Sequence, residues 1–232
     1  MSQGPLLRRT LAAAAGASIG VAWVAHAVTE SMIGPPDAGR GAAIAAHGVV
    51  PGVPACVQCH NTGSVGGGAF PRIAGLSSYY LDKQMHDFAS GVRTNAIMTP
   101  ITKGLSPAQM ADLAAYYASV AGPFPALAIG DPAQVKRGEQ LAKIGDASKD
   151  LQSCNDCHGP DGVGEPPAIP YLAGQYAQYI ASQLKMWQLG SRKSGPNTMA
   201  YIARRLGDQD VAAVAAYFQQ VRTATPPAES KE

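Results

Sequence analysis

Four cysteines occur in this 232-residue chain, and all fall in two copies of one pattern, Cys56-Val57-Gln58-Cys59-His60 and Cys154-Asn155-Asp156-Cys157-His158. Cys-x-x-Cys-His is the attachment pattern of c-type haem. Two thiols three positions apart each form a thioether to a vinyl-derived carbon of one porphyrin, and the adjacent histidine is held under the iron as an axial ligand. Two matches that leave no cysteine over are a specific signal, and they predict two covalently bound haems. Zinc is the first alternative, but ribbon-type sites bring Cys-x-x-Cys pairs roughly 15–20 residues apart, whereas a domain's length of chain separates Cys59 from Cys154. A thioredoxin-like redox pair needs a βαβ context, and both motifs here lie in Gly- and Pro-rich stretches without a strand pattern.

The other face of each iron decides the chemistry. Methionine sulfur suits a six-coordinate iron that shuttles one electron, whereas an open face suits peroxide or oxygen chemistry. In the first copy the choices are Met85, Met98 and Met110; Met85 and Met110 fall within predicted helices, and Met98 falls in the predicted loop Asn95–Pro100. In the second copy Met186 is mid-helix and Met199 follows Pro196-Asn197-Thr198. Met98 and Met199 lie 38 and 41 residues past His60 and His158, and this recurrence makes them the expected ligands. His47 and His86 occur only in the first copy and give no symmetric alternative. Pro71 and Pro170 each follow a haem motif; a carbonyl there accepts the Nδ1–H of a ligating histidine, against the plain reading of a loop proline. Arg93 and Arg192 are candidates to pair with haem propionates, exposed surface arginines being the alternative.

The elements that position these residues come from one duplicated unit, offset by about 98 to 101 residues. Phe70-Pro71-Arg72-Ile73-Ala74-Gly75 matches Ile169-Pro170-Tyr171-Leu172-Ala173-Gly174, Tyr80-Leu81-x-x-Gln84 matches Tyr179-Ile180-x-x-Gln183, and Leu113 to Tyr117 matches Val214 to Phe218. The fold class is therefore all-α, with two tandem domains at 37–122 and 132–222, a short stiff linker at 123–131 and a disordered tail at 223–232. Helical periods predict first helices over 38–47 and 135–144, and second helices over 77–90 and 176–189 that stop at Gly91 and Gly190. Ser106-Pro107 and Gly207-Asp208 open the last helices. Gly41 and Gly138 give small faces across which Tyr116 and Tyr217 are expected to pack.

Residues 1–33 combine Arg8-Arg9, an apolar run from Leu11 to Val28 and Ala25-His26-Ala27, which describes a secretory signal peptide. The run is also 18 residues long, the lower limit for a membrane span, so an N-terminal membrane anchor through residues 6–28 is the alternative. Ala and Gly dominate it, which favours cleavage after Ala27. Either way the rest of the protein lies across the membrane. A net charge of +2 without a Lys/Arg run excludes a nucleic-acid partner. Aromatics are sparse and Ala, Gly and Pro abundant, so a buried macrocycle is expected to supply bulk that the thin cores lack.

Two Cys-x-x-Cys-His units, each with a Pro-x-Leu/Ile-Ala-Gly turn, a Gly-x-Arg and a later Met, resemble the dihaem cytochrome c4 family over roughly residues 37–222. The resemblance implies two class I cytochrome c folds related by a pseudo-two-fold axis, with propionate edges near each other. It implies ligation by His60/Met98 and His158/Met199, attachment through Cys56, Cys59, Cys154 and Cys157, and supporting roles for Pro71, Pro170, Arg93 and Arg192. It also implies a periplasmic electron carrier, not an enzyme, running from a quinol-oxidising complex toward a haem-copper terminal oxidase. Two other readings stand beside it. One is a membrane-anchored electron-transfer subunit of a larger oxidase or dehydrogenase complex. The other is a dihaem peroxidase with one open or histidine-switched iron, for which His47 or His86 is a candidate.

Overall fold

Side-chain caps from Asp37, Ser77, Ser106 and Asp131 open four of the longer helices. In the computed structural model, which describes residues 1, 34–60, 68, 70–121, 130–193 and 197–221, Asp37 accepts the Arg40 N–H and opens α1 (Ala38–His47). Ser77 accepts the Tyr80 N–H ahead of α2 (Ser78–Ser90), which ends at Gly91 in the left-handed conformation. A short α3 (Met98–Lys103) follows, then α4 (Pro107–Ser119), whose Ser106 and Gln109 form a reciprocal capping box. The second half repeats the order with α5 (Pro132–Lys143), a single turn α6 (Asn155–His158), α7 (Ala177–Gln188), α8 (Thr198–Ala203) and α9 (Asp208–Gln220). Among the described residues there are isolated β-bridges but no strand. The expected leader or anchor, most of the linker and the tail lie outside the described residues, and residues 1–35 form a unit of their own. Among the described residues no helix is long and apolar enough to cross a membrane.

Two boundaries differ from the sequence reading. Helix α5 starts at Pro132, not Val135, because Asp131 accepts the Ala133 N–H and Pro132 occupies the first turn, the same signature that marks Ser106-Pro107. Met98 and Met199 lie in the first turns of α3 and α8 rather than in loops. Asn95 explains the first case: its Oδ1 accepts both the Ile97 and Met98 N–H groups, at 2.9 Å each, and winds the chain into a turn.

Within each half the first and last helices cross at a glycine. A methyl group on Gly41 would sit 2.0 Å from the Asp112 carbonyl oxygen and 2.8 Å from Tyr116 Cβ; on Gly138 it would sit 2.1 Å from the Ala213 carbonyl oxygen and 2.7 Å from Tyr217 Cβ. The tyrosines thus pack across the glycine faces as their spacing implies. The crossings are pinned by buried carboxylates. Arg40 Nε lies 2.7 Å from Asp112 Oδ2. In the second half Arg137 reaches Asp210 at 3.0 Å and Asp146 at 2.7 Å, and Lys149 also pairs with Asp210. Each half keeps its own core, around Leu81, Met110 and Leu113 in one and Ile180, Val214 and Phe218 in the other. The exception is Tyr171, which belongs to the second half by sequence and packs in the first core.

Gly41→Ala or Gly138→Ala is expected to destabilise the affected half by about 1–3 kcal/mol through forced separation of the helices, measured as a lowered denaturation midpoint by circular dichroism. Hydrogen bonds from Arg137 and then Ser148 hold the Asp146 carboxyl down at about 2, below its ordinary 3.8. A depressed carboxylate adds stability that is present above the unfolded value and is lost as pH falls through the folded one. Acid titration is therefore expected to weaken the second half between pH 3.8 and about 2, and Asp146→Asn to flatten that slope.

Candidate haem sites

Each Cys-x-x-Cys-His motif folds as a tight turn, Cys56–Gln58 as a 3-10 turn and Asn155–His158 as α6, with His60 N–H bonded to the Cys56 carbonyl at 2.8 Å and His158 N–H to the Cys154 carbonyl at 2.9 Å. Winding the motif this way brings both thiols and the imidazole to one side. No disulfide joins any of the four cysteines, so all are available for thioether formation.

The histidines are held from behind. His60 Nδ1 lies 2.9 Å from the Pro71 carbonyl oxygen, and His158 Nδ1 lies 2.8 Å from the Pro170 carbonyl oxygen. A carbonyl only accepts, so Nδ1 carries the proton and Nε2 keeps its lone pair. Burial pushes both histidine pKa values down against the opposing effect of those hydrogen bonds, so both rings are neutral and ready to ligate at neutral pH. The carbonyls are placed by the turns that follow them. Gly75 and Gly174 adopt φ of 76° and 67° and donate their N–H groups to the Tyr117 and Phe218 carbonyls at 2.8 and 2.7 Å. The left-handed conformation is one a side chain resists, which gives the repeated Ala-Gly its physical reason.

A continuous, mostly apolar cavity of about 550 Å³ runs through both halves. In the first half Cys56, Cys59, His60 and Met98 line it, and in the second Cys154, Cys157, His158 and Met199 do. Met85 and Met186, which the helical pattern assigned to packing, line it as well. Met186 Sδ already accepts a contact from Gln183 Nε2 at 3.7 Å. Met110 is buried in the first core. His47 and His86 are exposed and neither lines the cavity; His86 faces Asp82 at 3.6 Å.

Where the halves meet, Arg93 and Arg192 pair through an antiparallel bridge and are 5% and 4% exposed, so they are not the surface arginines that the alternative reading required. Each reaches across the pseudo-two-fold axis. Arg93 donates to Gln84 Oε1 at 2.8 Å in its own half, and to Tyr179 OH and Gln183 Oε1 at 2.8 and 2.7 Å in the other. Arg192 mirrors this with Gln183 at 2.9 Å, Tyr80 at 3.2 Å and Gln84 at 3.0 Å. Their guanidiniums also stack on Phe88 and Trp187, at 4.4 and 4.0 Å from the ring centroids. Burial lowers the Arg192 pKa, with the neighbouring Arg93 charge adding to the effect. Arg93 pairs with no carboxylate among the described residues, and its buried Nε has no hydrogen-bond partner. Sequence reasoning assigned no role to Tyr80, Gln84, Tyr179 and Gln183, although their recurrence as polar residues one turn apart on otherwise apolar helix faces was the available signal.

The cytochrome c family model matches residues 39–121 and 135–222. A cytochrome c4 of Pseudomonas aeruginosa is 39% identical over 168 residues, spanning 71% of this chain and 82% of that protein. The chain belongs to the dihaem cytochrome c4 family. A thiosulfate dehydrogenase electron acceptor of Stutzerimonas stutzeri is 42% identical over 178 residues, spanning 75% of this chain and 82% of that one. The crystal structure of reduced recombinant cytochrome c4 from Pseudomonas stutzeri superposes with a TM-score of 0.70 at 30% identity, covering 82% of this chain and all of that one. Thiosulfate dehydrogenase (TsdBA) from Marichromatium purpuratum, as isolated, gives a TM-score of 0.72 at 37% identity; 80% of this chain is covered, and it spans 40% of that longer chain. Membership makes this protein an electron carrier with two covalently attached c-type haems. Its own residues fit that group: the cysteines and the histidines line a mostly apolar cavity, and Arg93, with an orphaned guanidinium nitrogen, lines it too.

Proposed function

We propose that His60 and Met98 ligate the first iron and His158 and Met199 the second, with the paired thiols Cys56/Cys59 and Cys154/Cys157 as the attachment points. When bound, each haem supplies a centre that takes up and releases one electron. The observation that carries the assignment is the repetition, in both halves, of a carbonyl-braced imidazole facing a cavity that a methionine also lines. Pro71 and Pro170 fix the imidazole orientation and raise the ring's donor strength. Arg93 and Arg192 are assigned to the haem propionates: the buried Arg93 guanidinium, with its bare Nε, calls for an anion, and Arg192 lies beside it at the same bridge and borders the same cavity. The apolar walls exclude water, which keeps the surroundings similar in both oxidation states.

The two domains at 37–122 and 132–222 thus act as a two-centre carrier in the periplasm, from a quinol-oxidising complex toward a haem-copper terminal oxidase, through small transient contacts below about 1,200 Å². The 42% identity to a thiosulfate dehydrogenase electron acceptor favours a second donor, a thiosulfate-oxidising enzyme. Residues 1–33 are read as the export signal, cleaved after Ala27, or as a retained anchor of a membrane-bound subunit. N-terminal sequencing of the mature protein separates the two.

Met98→Ala and Met199→Ala are each expected to abolish one of the two contributions to the weak ferric methionine-to-iron band near the red end of the visible spectrum, and to lower the potential of that haem alone. Unchanged spectra in both variants reject the ligand assignment. Arg93→Gln is expected to lower both potentials together, since loss of a positive charge near the axis favours the ferric state on either side. For the donor, stopped-flow reduction by the purified quinol-oxidising complex is expected to outrun reduction by a thiosulfate dehydrogenase; the reverse order assigns the protein to sulfur oxidation.

A further inference from the structure

The two halves are alike in their helices but not in the turn behind each histidine. In the first half the peptide group joining Pro71 to Arg72 is engaged on both sides. Its carbonyl accepts His60 Nδ1–H at 2.9 Å, and its N–H, on Arg72, donates to Gln175 Oε1 at 3.0 Å. Gln175 belongs to the other half. Its Nε2–H returns to the Arg72 carbonyl at 2.9 Å, so the side-chain amide clasps the Arg72 backbone at both ends. The clasp is firm: Gln175 is 4% exposed, its Oε1 also accepts the Tyr176 N–H at 3.1 Å, and its backbone N–H is tied to the Leu172 carbonyl at 3.0 Å. Tyr171 OH donates to the Arg72 and Ala74 carbonyls beside it, at 3.3 and 3.0 Å.

The repeat places Leu76 where the second half has Gln175, and Arg72 where it has Tyr171. A leucine side chain has no atom with which to return the same clasp to the peptide behind His158. The contact is therefore one-directional: a residue of the second half reaches the backbone that braces the first histidine.

We infer that Gln175 is a positioning residue that tunes the first haem from across the interface, by polarising the Pro71–Arg72 peptide and so raising the electron-donating strength of His60. Hydrogen bonds in a chain polarise one another. Accepting the Arg72 N–H increases the negative charge on the Pro71 oxygen, which pulls harder on the Nδ1 proton and leaves Nε2 a stronger donor. A stronger donor favours the ferric iron. Gln175 thus holds the first potential below the value His60 would otherwise give, with no matching effect from Leu76 on the second.

The inference rests on His60 being the ligand of the first haem, and the test separates the two. In the reduced wild-type holoprotein, proton NMR is expected to show ring-current-shifted imidazole protons for both His60 and His158. Gln175→Met, close in volume and unable to hydrogen-bond in this way, is expected to shift the His60 Nδ1–H resonance upfield and leave that of His158 in place. The same variant should move the equilibrium for electron exchange between the haems toward a reduced first haem by about two- to fivefold, a fraction of one charge-assisted hydrogen bond. Gln175→Glu keeps an acceptor oxygen on the Arg72 N–H and makes it a stronger one, so it is expected to shift the His60 Nδ1–H resonance downfield, opposite to Gln175→Met; it also serves if Gln175→Met folds poorly. A wild-type spectrum without shifted His60 protons overturns the ligand assignment and the inference with it. A normal wild-type spectrum with an unchanged His60 resonance in Gln175→Met, or equal displacement of both potentials, overturns the inference alone. So does an upfield shift of the His60 resonance in Gln175→Glu.

Discussion

The rest of the structure depends on a positive charge buried between two halves with only neutral oxygens for company. Taking a guanidinium out of water costs several kcal/mol unless hydrogen bonds and an anion compensate. Arg93 finds three neutral oxygens and keeps a bare Nε. Gln84 and Gln183 each accept from both arginines, so the same two amides serve both guanidiniums and lock the halves in register. Displacing one half against the other would strand these donors in an apolar cavity. The interface is therefore polar at its centre, and the charge it concentrates borders the cavity that both halves line.

Around that centre the protein is built twice, and the duplication explains why its geometry is so regular. The same glycine crossing, the same carbonyl brace and the same left-handed turn occur in each half. The acidic pins differ in strength. Asp112 answers Arg40, whereas Asp210 answers both Arg137 and Lys149. Burial pushes the Asp210 carboxyl up, yet the hydrogen bonds from Lys149 and Arg137 outweigh it and leave it below the usual carboxylate range. The strongest departure from symmetry is at the contact itself, where Tyr171 crosses into the first core and Gln175 clasps the first half's backbone. An electron carrier with two centres has use for such a difference, because identical surroundings would give electrons no preferred centre.

Much of this was legible because the chemistry depends on short-range spacing. Two residues between thiols, a histidine next to the second one and a repeat near 100 residues point to haem chemistry, a duplicated unit and the fold class without any knowledge of packing. Helix caps were equally local: Ser106-Pro107 announced α4, and Asp131-Pro132 carried the same message for α5. Met98 and Met199 were picked out by recurrence, although their surroundings are helical turns and not loops.

Contacts between residues about 100 positions apart in the chain leave no such trace. Sequence alone determined that the chain carries two Cys-x-x-Cys-His units and that these lie in homologous helical domains, because each of these follows from periodicity within one segment. Only the tertiary structure decided that Arg93 and Arg192 are buried on a shared axis, that Met85 and Met186 reach the cavity, and that Gln175 stands behind His60. Those facts depend on which faces of two separately folded units meet, and that choice is made by desolvation and hydrogen-bond satisfaction summed over the whole interface.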